Sequence, residues 1–253
     1  MRDERLLEQA EAGVAGQGVA LLGRVVTIET RGFANCAKRT VIFVPQHRVA
    51  QLRQLPALQK SRAAAQAALA RLVDPTRGIY LVSPVYQHGL FMDNLELWAH
   101  GFTHQPAESA RHPRFTESIR SVFWDTARQR YLVSTQPGQR DTEHAFYPDA
   151  VAQIFPLLVN FPRLPGGARQ HYRRWMAEHR GEWLSQVHGD FAWGLVAIVA
   201  LDQKDLPSAR CWLRISLPAR HSSHWTVTDE VVAQVLQARG LKPPPAALAC
   251  PQL

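Results

Sequence analysis

The sequence predicts a mainly α fold of antiparallel helical hairpins, and three observations carry that expectation. The C-terminal two-thirds of the 253-residue chain is a succession of segments with helical apolar spacing, each about 10–15 residues long. Short loops or extended hairpins with Pro or Gly join them, as in helix-on-helix architectures. No fixed-period repeat points to a solenoid. A hydrophobic content of 46% is enough to bury a core in one large domain or two small ones.

Taken in order, the elements divide into three regions: a basic N-terminal segment over 1–59, a helical-hairpin domain over 60–240 and a Pro-rich tail over 241–253. Arg2–Ala12 reads as a short polar helix, and "GVALLGRVVTIET" has the β-branched content of a strand. "RGFANCAKRTVIFVPQHR" shows no clear period, which leaves the fold of this region open. "LPALQKSRAAAQAALARLVD" is a helix by propensity and spacing. "PTRGIYLVSPVYQHG" is a turn and an extended segment, and a helix follows over roughly Asp93–Phe102.

"HPRFTESIRSVFWD" puts Phe115, Ile119, Val122 and Phe123 on one helical face. "TARQRYLVSTQPGQRD" reads as a hairpin or extended loop with a Pro-Gly turn. In "YPDAVAQIFPLLVNFP", Pro148 suits a first helical turn and Pro156 shortens the helix. "GGARQHYRRWMAEHRGEW" is amphipathic after a Gly-Gly break. "DFAWGLVAIVALDQ" is apolar nearly all round, so it belongs in a core, with Asp190 placed to cap it. "DLPSARCWLRISL" suits another helix, and "TVTDEVVAQVLQARG" has a Thr/Asp start and Gly240 as its stop. The Pro-rich tail is expected to be loose.

Composition narrows the function classes. Twenty-nine Lys and Arg against 21 Asp and Glu give a net charge of +8. The excess is concentrated: Arg24–Arg62 holds eight basic residues and one acid, Glu29. Such a segment allows nucleic-acid binding, but only Phe33 and Phe43 interleave it, so this ranks below the alternatives that follow. Cys36, Cys211 and Cys250 are odd in number and widely spaced, which argues against a disulfide framework or zinc site. The charged N-terminus lacks the apolar run of a signal peptide, giving a cytoplasmic expectation by default. No stretch reaches membrane-span length, so no membrane partner is expected. Serine-hydrolase, P-loop and dinucleotide motifs are absent, and no cofactor is expected.

Several polar residues interrupt apolar helices. Asp93, Glu96 and His100 fall at i, i+3 and i+7, opposite Phe91, Leu95, Trp98 and Phe102. Either Asp93 caps a helix with a solvated face or this face lines a cleft. Glu96, His100 and His104 step by four but complete no metal-ligand set, so no metal is expected. Asp141, Glu143, His144, Tyr147 and Asp149 gather before a helix, as a capped polar loop or as a rim that binds hydroxyls.

Three segments in order, "GLFMDNLELWAHG", then "VFWDTARQRYLVS…YPDAVAQIFPLL", then "YRRWMAEHRGEWLS…DFAWGLVAIVALDQKDLPSAR", resemble the C-terminal part of six-hairpin, or (α/α)6-barrel, glycosidase-like proteins. The resemblance spans roughly 74–236 and implies a partial (α/α) barrel, truncated relative to twelve helices. It implies a glycan-binding cleft, with carbohydrate as partner and glycoside hydrolysis as activity. It puts Asp93, Asn94 and Glu96 on one wall and Tyr147 and Asp149 on the other. Asp149 with Asp93 or Glu96 would be the carboxyl pair that hydrolysis requires. Trp98, Tyr147, Trp193 and Trp225 would contact the sugar. The alternative from the same pattern is a non-catalytic helical-barrel binding protein.

Overall fold

The computed structural model describes residues 23–31, 37–45, 56–104, 112–139, 145–162, 164–245 and 250. The chain divides into two compact units, Met1–Arg71 and Leu72–Leu253. The helix expected to open the helical domain therefore falls in the first unit.

In the first unit, β1 (Gly23–Arg31) pairs antiparallel with β2 (Ala37–Pro45), with Val26 opposite Ile42 and Thr27 opposite Val41. Both strands carry the β-branched residues that fit a pleated ladder. The second lies in the stretch whose period was unreadable, because Lys38 and Arg39 interrupt its apolar run. Helix α1 (Pro56–Ala70) follows, with proline at its start where the missing N–H costs nothing. Of the residues behind the nucleic-acid alternative, Arg48 and Arg53 lie outside the described residues, as does the expected helix Arg2–Ala12.

The second unit is helical: α2 (Phe91–His104), α3 (His112–Phe123), α4 (Val151–Leu158), α5 (Ala168–Ser185), α6 (Gly194–Asp202), α7 (Leu206–Ser216) and α8 (Val227–Ala238). A two-stranded hairpin, β3 (Trp124–Asp125) and β4 (Arg130–Tyr131), separates α3 from α4. Its turn is Thr126–Gln129, nucleated by Asp125 Oδ1, which accepts from the amides of Ala127 and Arg128. The expected Pro-Gly turn instead forms a single helical turn at Pro137–Gln139.

The two most apolar helices take the centre. Helix α4 packs on α2, α5 and α6, and α6 packs on α4, α7 and α8. A helix apolar on all sides needs neighbours on all sides. Val196, Ala197, Val199 and Ala200 are buried accordingly. At the other end of the core, Phe91 stacks on Tyr131 at 4.5 Å and tilts against Phe123 at 5.4 Å, closing α2 and α3 over the hairpin.

The helix starts differ from expectation in two places. Helix α2 begins at Phe91, so Asp93 lies in its first turn and does not cap it. Asp190 does not cap α6; the residue at that cap is Trp193, in the left-handed conformation with φ 51°. Gly194 follows because a Cβ there would lie 2.8 Å from the Trp212 ring. Helix α8 starts as read, with Thr226 and Asp229 in a reciprocal capping box. Its stop is also as read, with Gly240 at φ 79°.

Two cysteine and tail expectations are corrected. Cys211 and Cys250 form a disulfide with a sequence separation of 39. Sequence spacing did not reveal the pair because α7 and the tail meet only in the fold. The tail is therefore tethered, and Leu241 at its start is buried. No helix among the described residues is long and apolar enough to cross a membrane.

Candidate functional site

A cleft of about 380 Å³ opens where three elements meet. The β3–β4 hairpin supplies Arg128, Gln129 and Arg130, the turn before α4 supplies Asp149, and α4 itself supplies Gln153. Helix α5 supplies His171, Arg174, Trp175, Glu178 and His179. The α5 residues fall at i, i+3, i+4, i+7 and i+8, so one face of that helix forms a whole wall.

Side-chain to backbone bonds hold the walls in place. Gln153 clasps the hairpin: its Oε1 accepts from the Tyr131 amide at 2.8 Å, and its Nε2 donates to the Tyr131 carbonyl at 2.9 Å. Trp175 Nε1 donates to the Ala150 carbonyl at 2.7 Å, docking α5 on the start of α4. His171 Nε2 lies 2.6 Å from the Gln153 carbonyl. A carbonyl only accepts, so that nitrogen carries the proton and Nδ1 presents a lone pair. His171 is only 3% exposed, and burial lowers its pKa, favouring the neutral ring. Its Nδ1, and the Nε of Arg130, are buried without a hydrogen-bond partner among the described residues.

Asp149 is 6% exposed, and its Oδ2 accepts from the Ala145 amide at 3.2 Å. It belongs to the wide helical turn Phe146–Ala150 that leads into α4. Within that turn Tyr147 has an extended backbone, φ −111° and ψ 128°, which separates the roles of its neighbours. Phe146 goes into the core, while Tyr147 is 55% exposed.

Tyr147 stacks on Trp193 with ring centroids 5.2 Å apart and planes at 23°. Phe191, 43% exposed, meets the same indole edge-on. Trp193 is pinned at both ends. Its Nε1 donates to Asp190 Oδ2 at 3.0 Å, and its carbonyl accepts from Trp183 Nε1 at 3.1 Å. Those bonds offset a left-handed backbone that costs a non-glycine residue about 1–2 kcal/mol. Phe146 links this patch to the cleft, packing on Trp193 and on the cleft residue Trp175.

The site residues expected from sequence therefore separate. Asp149, Tyr147 and Trp193 come together around one turn. Asp93 and Glu96 are exposed on α2 and are not in the cleft lining. Asn94, expected to contact ligand, is fully buried: its Oδ1 accepts from the Tyr80 amide, and its Nδ2 donates to the Tyr80 and Leu90 carbonyls. Trp98 is buried, donating to Thr116 Oγ1 at 2.8 Å and meeting Phe161 edge-on. Trp225 is half-buried, stacked on Trp212, and donates to Glu230 Oε2.

The loop residues Asp141, Glu143 and His144 lie outside the described residues, as do the side chains of His100 and His104. No cluster able to hold a metal ion occurs among the described residues. Sequence reasoning missed Glu178, His171 and the three arginines. The signal available for the α5 set was its polar residues recurring at helical spacing around Trp175. Comparison of the chain with protein-family models, curated proteins and solved structures finds no match.

Proposed function

We propose that this is a carbohydrate-active protein that binds a glycan in the Asp149 cleft and hydrolyses it there. One observation carries the proposal: a single turn, Phe146–Ala150, presents a buried carboxylate to a polar cleft and an exposed, stacked tyrosine beside it. A sugar ring has apolar faces and a hydroxyl edge, so an aromatic surface next to fixed donors and acceptors suits it. Glycoside hydrolysis uses two carboxyl groups flanking the scissile bond. Asp149 and Glu178 are the two carboxylates in the cleft lining, and they take those roles in this scheme. Glu178 replaces Asp93 and Glu96 as the partner of Asp149.

The scheme also takes the second unit as part of an (α/α) barrel. Its support is that consecutive helices pack on each other, α2 on α3 and α6 on α7, around the apolar α4 and α6. The test is reducing-end release from a polysaccharide panel, with Asp149→Asn and Glu178→Gln as variants. Turnover that both variants abolish supports hydrolysis. Turnover unchanged in both overturns the catalytic assignment. Saturable glycan binding without turnover in the native protein leaves a binding protein, the non-catalytic alternative.

A further inference from the structure

We infer that Cys250 is a redox-active thiol, and that the Cys211–Cys250 disulfide is a reversible clasp opened by a dithiol reductant and re-formed by a disulfide oxidant. The two cysteines sit in unlike surroundings. Cys211 is 1% exposed on α7, in the core beside Trp212 and Leu213. Cys250 is partly exposed, so of the two it is the one presented to solvent. Arg214 follows Cys211 by three residues, one turn further along the same face of α7. Its Nη2 lies 2.7 Å from Cys250 Sγ, and its Nη1 lies 3.5 Å from the Pro245 carbonyl oxygen. A disulfide sulfur is neutral and a weak acceptor, so the guanidinium gains little from it. A thiolate in the same place gains a charge-assisted hydrogen bond, so the contact favours the reduced state. A partly exposed cysteine beside a guanidinium is the setting of a reactive thiol, whereas a cysteine enclosed by apolar groups is inert.

Exchange runs in two displacements. A thiolate of the reductant attacks Cys250 Sγ, the S–S bond breaks, and Cys211 leaves and takes up a proton. The reductant's second thiolate then attacks its own sulfur in that mixed disulfide, and Cys250 leaves as a thiolate against Arg214. Two electrons pass from the dithiol to the protein, and the reductant ends as a disulfide. Of the two protons it gives up, one ends on Cys211 and the other goes to solvent. Closure reverses the traffic, with Cys250 attacking the oxidant and Cys211 displacing it. Opening leaves the helical unit standing. Helix α7 is held by packing on α5 and α6, by the Asp205 cap and by the Trp212 indole, which donates to the Ala192 carbonyl. A protonated Cys211 behaves as a small apolar group in that core. What the clasp releases is the chain beyond Leu241, which the bond fastens to α7.

The experiment is thiol exchange on the full chain, with dithiothreitol as reductant, oxidised glutathione as oxidant and iodoacetamide as the label. Peptide mapping by mass separates Cys211 and Cys250 from Cys36. Dithiothreitol is expected to open the bond while the helical circular dichroism stays unchanged, and oxidised glutathione to restore it. In the reduced protein Cys250 should alkylate at least about tenfold faster than Cys211. Arg214→Gln should slow Cys250 by about fivefold, and Arg214→Lys, which keeps the charge, should restore most of the rate. A bond that opens only as the helices melt overturns the proposal and leaves a structural disulfide. Cys250 alkylating no faster than Cys211 also overturns it, as does a Cys250 rate that Arg214→Gln leaves unchanged. Should Arg214→Gln fail to fold, bond opening and the two alkylation rates in the native protein decide the matter.

Discussion

Asp229 Oδ1 accepts the amide of Gly194 at 2.7 Å and so ties the start of α6 to the start of α8. The other oxygen, Oδ2, accepts from the Thr226 amide and hydroxyl. Asp229 is buried, and Gly194 leaves no room for a Cβ between Asp229 and Trp212. Asp229→Ala strands three donors, and we expect it to lower stability by about 2–4 kcal/mol. Gly194→Ala should also destabilise, by overpacking, at about 1–3 kcal/mol. Urea titration of both variants checks this, and a change below 0.5 kcal/mol in either would contradict the close packing described.

Asn94 and Trp98 look like ligand groups in the sequence and act as framework. Asn94→Ala removes three bonds to the backbone of Tyr80 and Leu90 and should cost about 2–3 kcal/mol. Thr116→Val, which removes the acceptor of the Trp98 indole, should cost about 1–2 kcal/mol. Glycan affinity of the folded fraction should be unchanged in both. A tenfold loss of affinity at native stability would return these residues to the ligand.

Those two residues show where sequence reading stops. A polar side chain inside an apolar helix marks something that must be satisfied, and its partner cannot be read from helical spacing. Asn94 finds that partner in the extended segment fourteen residues earlier in the chain. The central helices were legible because "VAQIFPLL" and "GLVAIVALD" are apolar enough to require burial whatever surrounds them. The start of α8 was legible because capping is local chemistry between Thr226 and Asp229. The cleft was only half legible. Asp149 and Tyr147 share one turn, but Arg130 and Glu178 reach it from a hairpin and a helix far apart in the chain. The strand β2 was hidden by its basic residues, and the cap of α6 by a left-handed tryptophan where an aspartate was expected.

Glu230 gives a pH dependence at acid pH. The Arg220 guanidinium holds its pKa down to about 2 from 4.5; burial opposes this as the next-largest influence, and hydrogen bonds from Gln234 and Trp225 add to the lowering. The folded state therefore binds fewer protons than the unfolded state between those values. The stabilisation is complete above about 4.5 and is lost as pH falls toward about 2. Solvent reaches both partners, so the gain is about 1 kcal/mol or less. Glu230→Gln should lose stability at pH 7 and converge on the native protein near pH 2. Denaturation midpoints across that range test this, and a constant difference between the two would refute it.

Tyr147 separates binding from stability. Its ring is more than half exposed and rests on Trp193, so Tyr147→Ala should alter stability by less than about 0.5 kcal/mol. Loss of the stacking surface should weaken glycan affinity about tenfold, which corresponds to about 1.4 kcal/mol. Titration of a bound oligosaccharide against both proteins measures it. Unchanged affinity would remove the aromatic patch from the site.

His171 carries a second pH dependence, of the cleft itself. Burial is the largest influence on its ring and lowers the pKa from 6.5, while the carbonyl of Gln153 opposes it. Unfolded, the imidazole takes up a proton as pH falls past about 6.5; folded, it resists until lower pH. Stability from this residue is therefore present above 6.5 and falls as pH drops toward the folded value. His171→Gln keeps an N–H donor near the Gln153 carbonyl and does not titrate. Between pH 7.5 and 5.5 the native protein's urea midpoint should fall, and that of the variant should fall less. Parallel slopes would mean that the ring is charged or hydrated in the folded state, against the burial described for it.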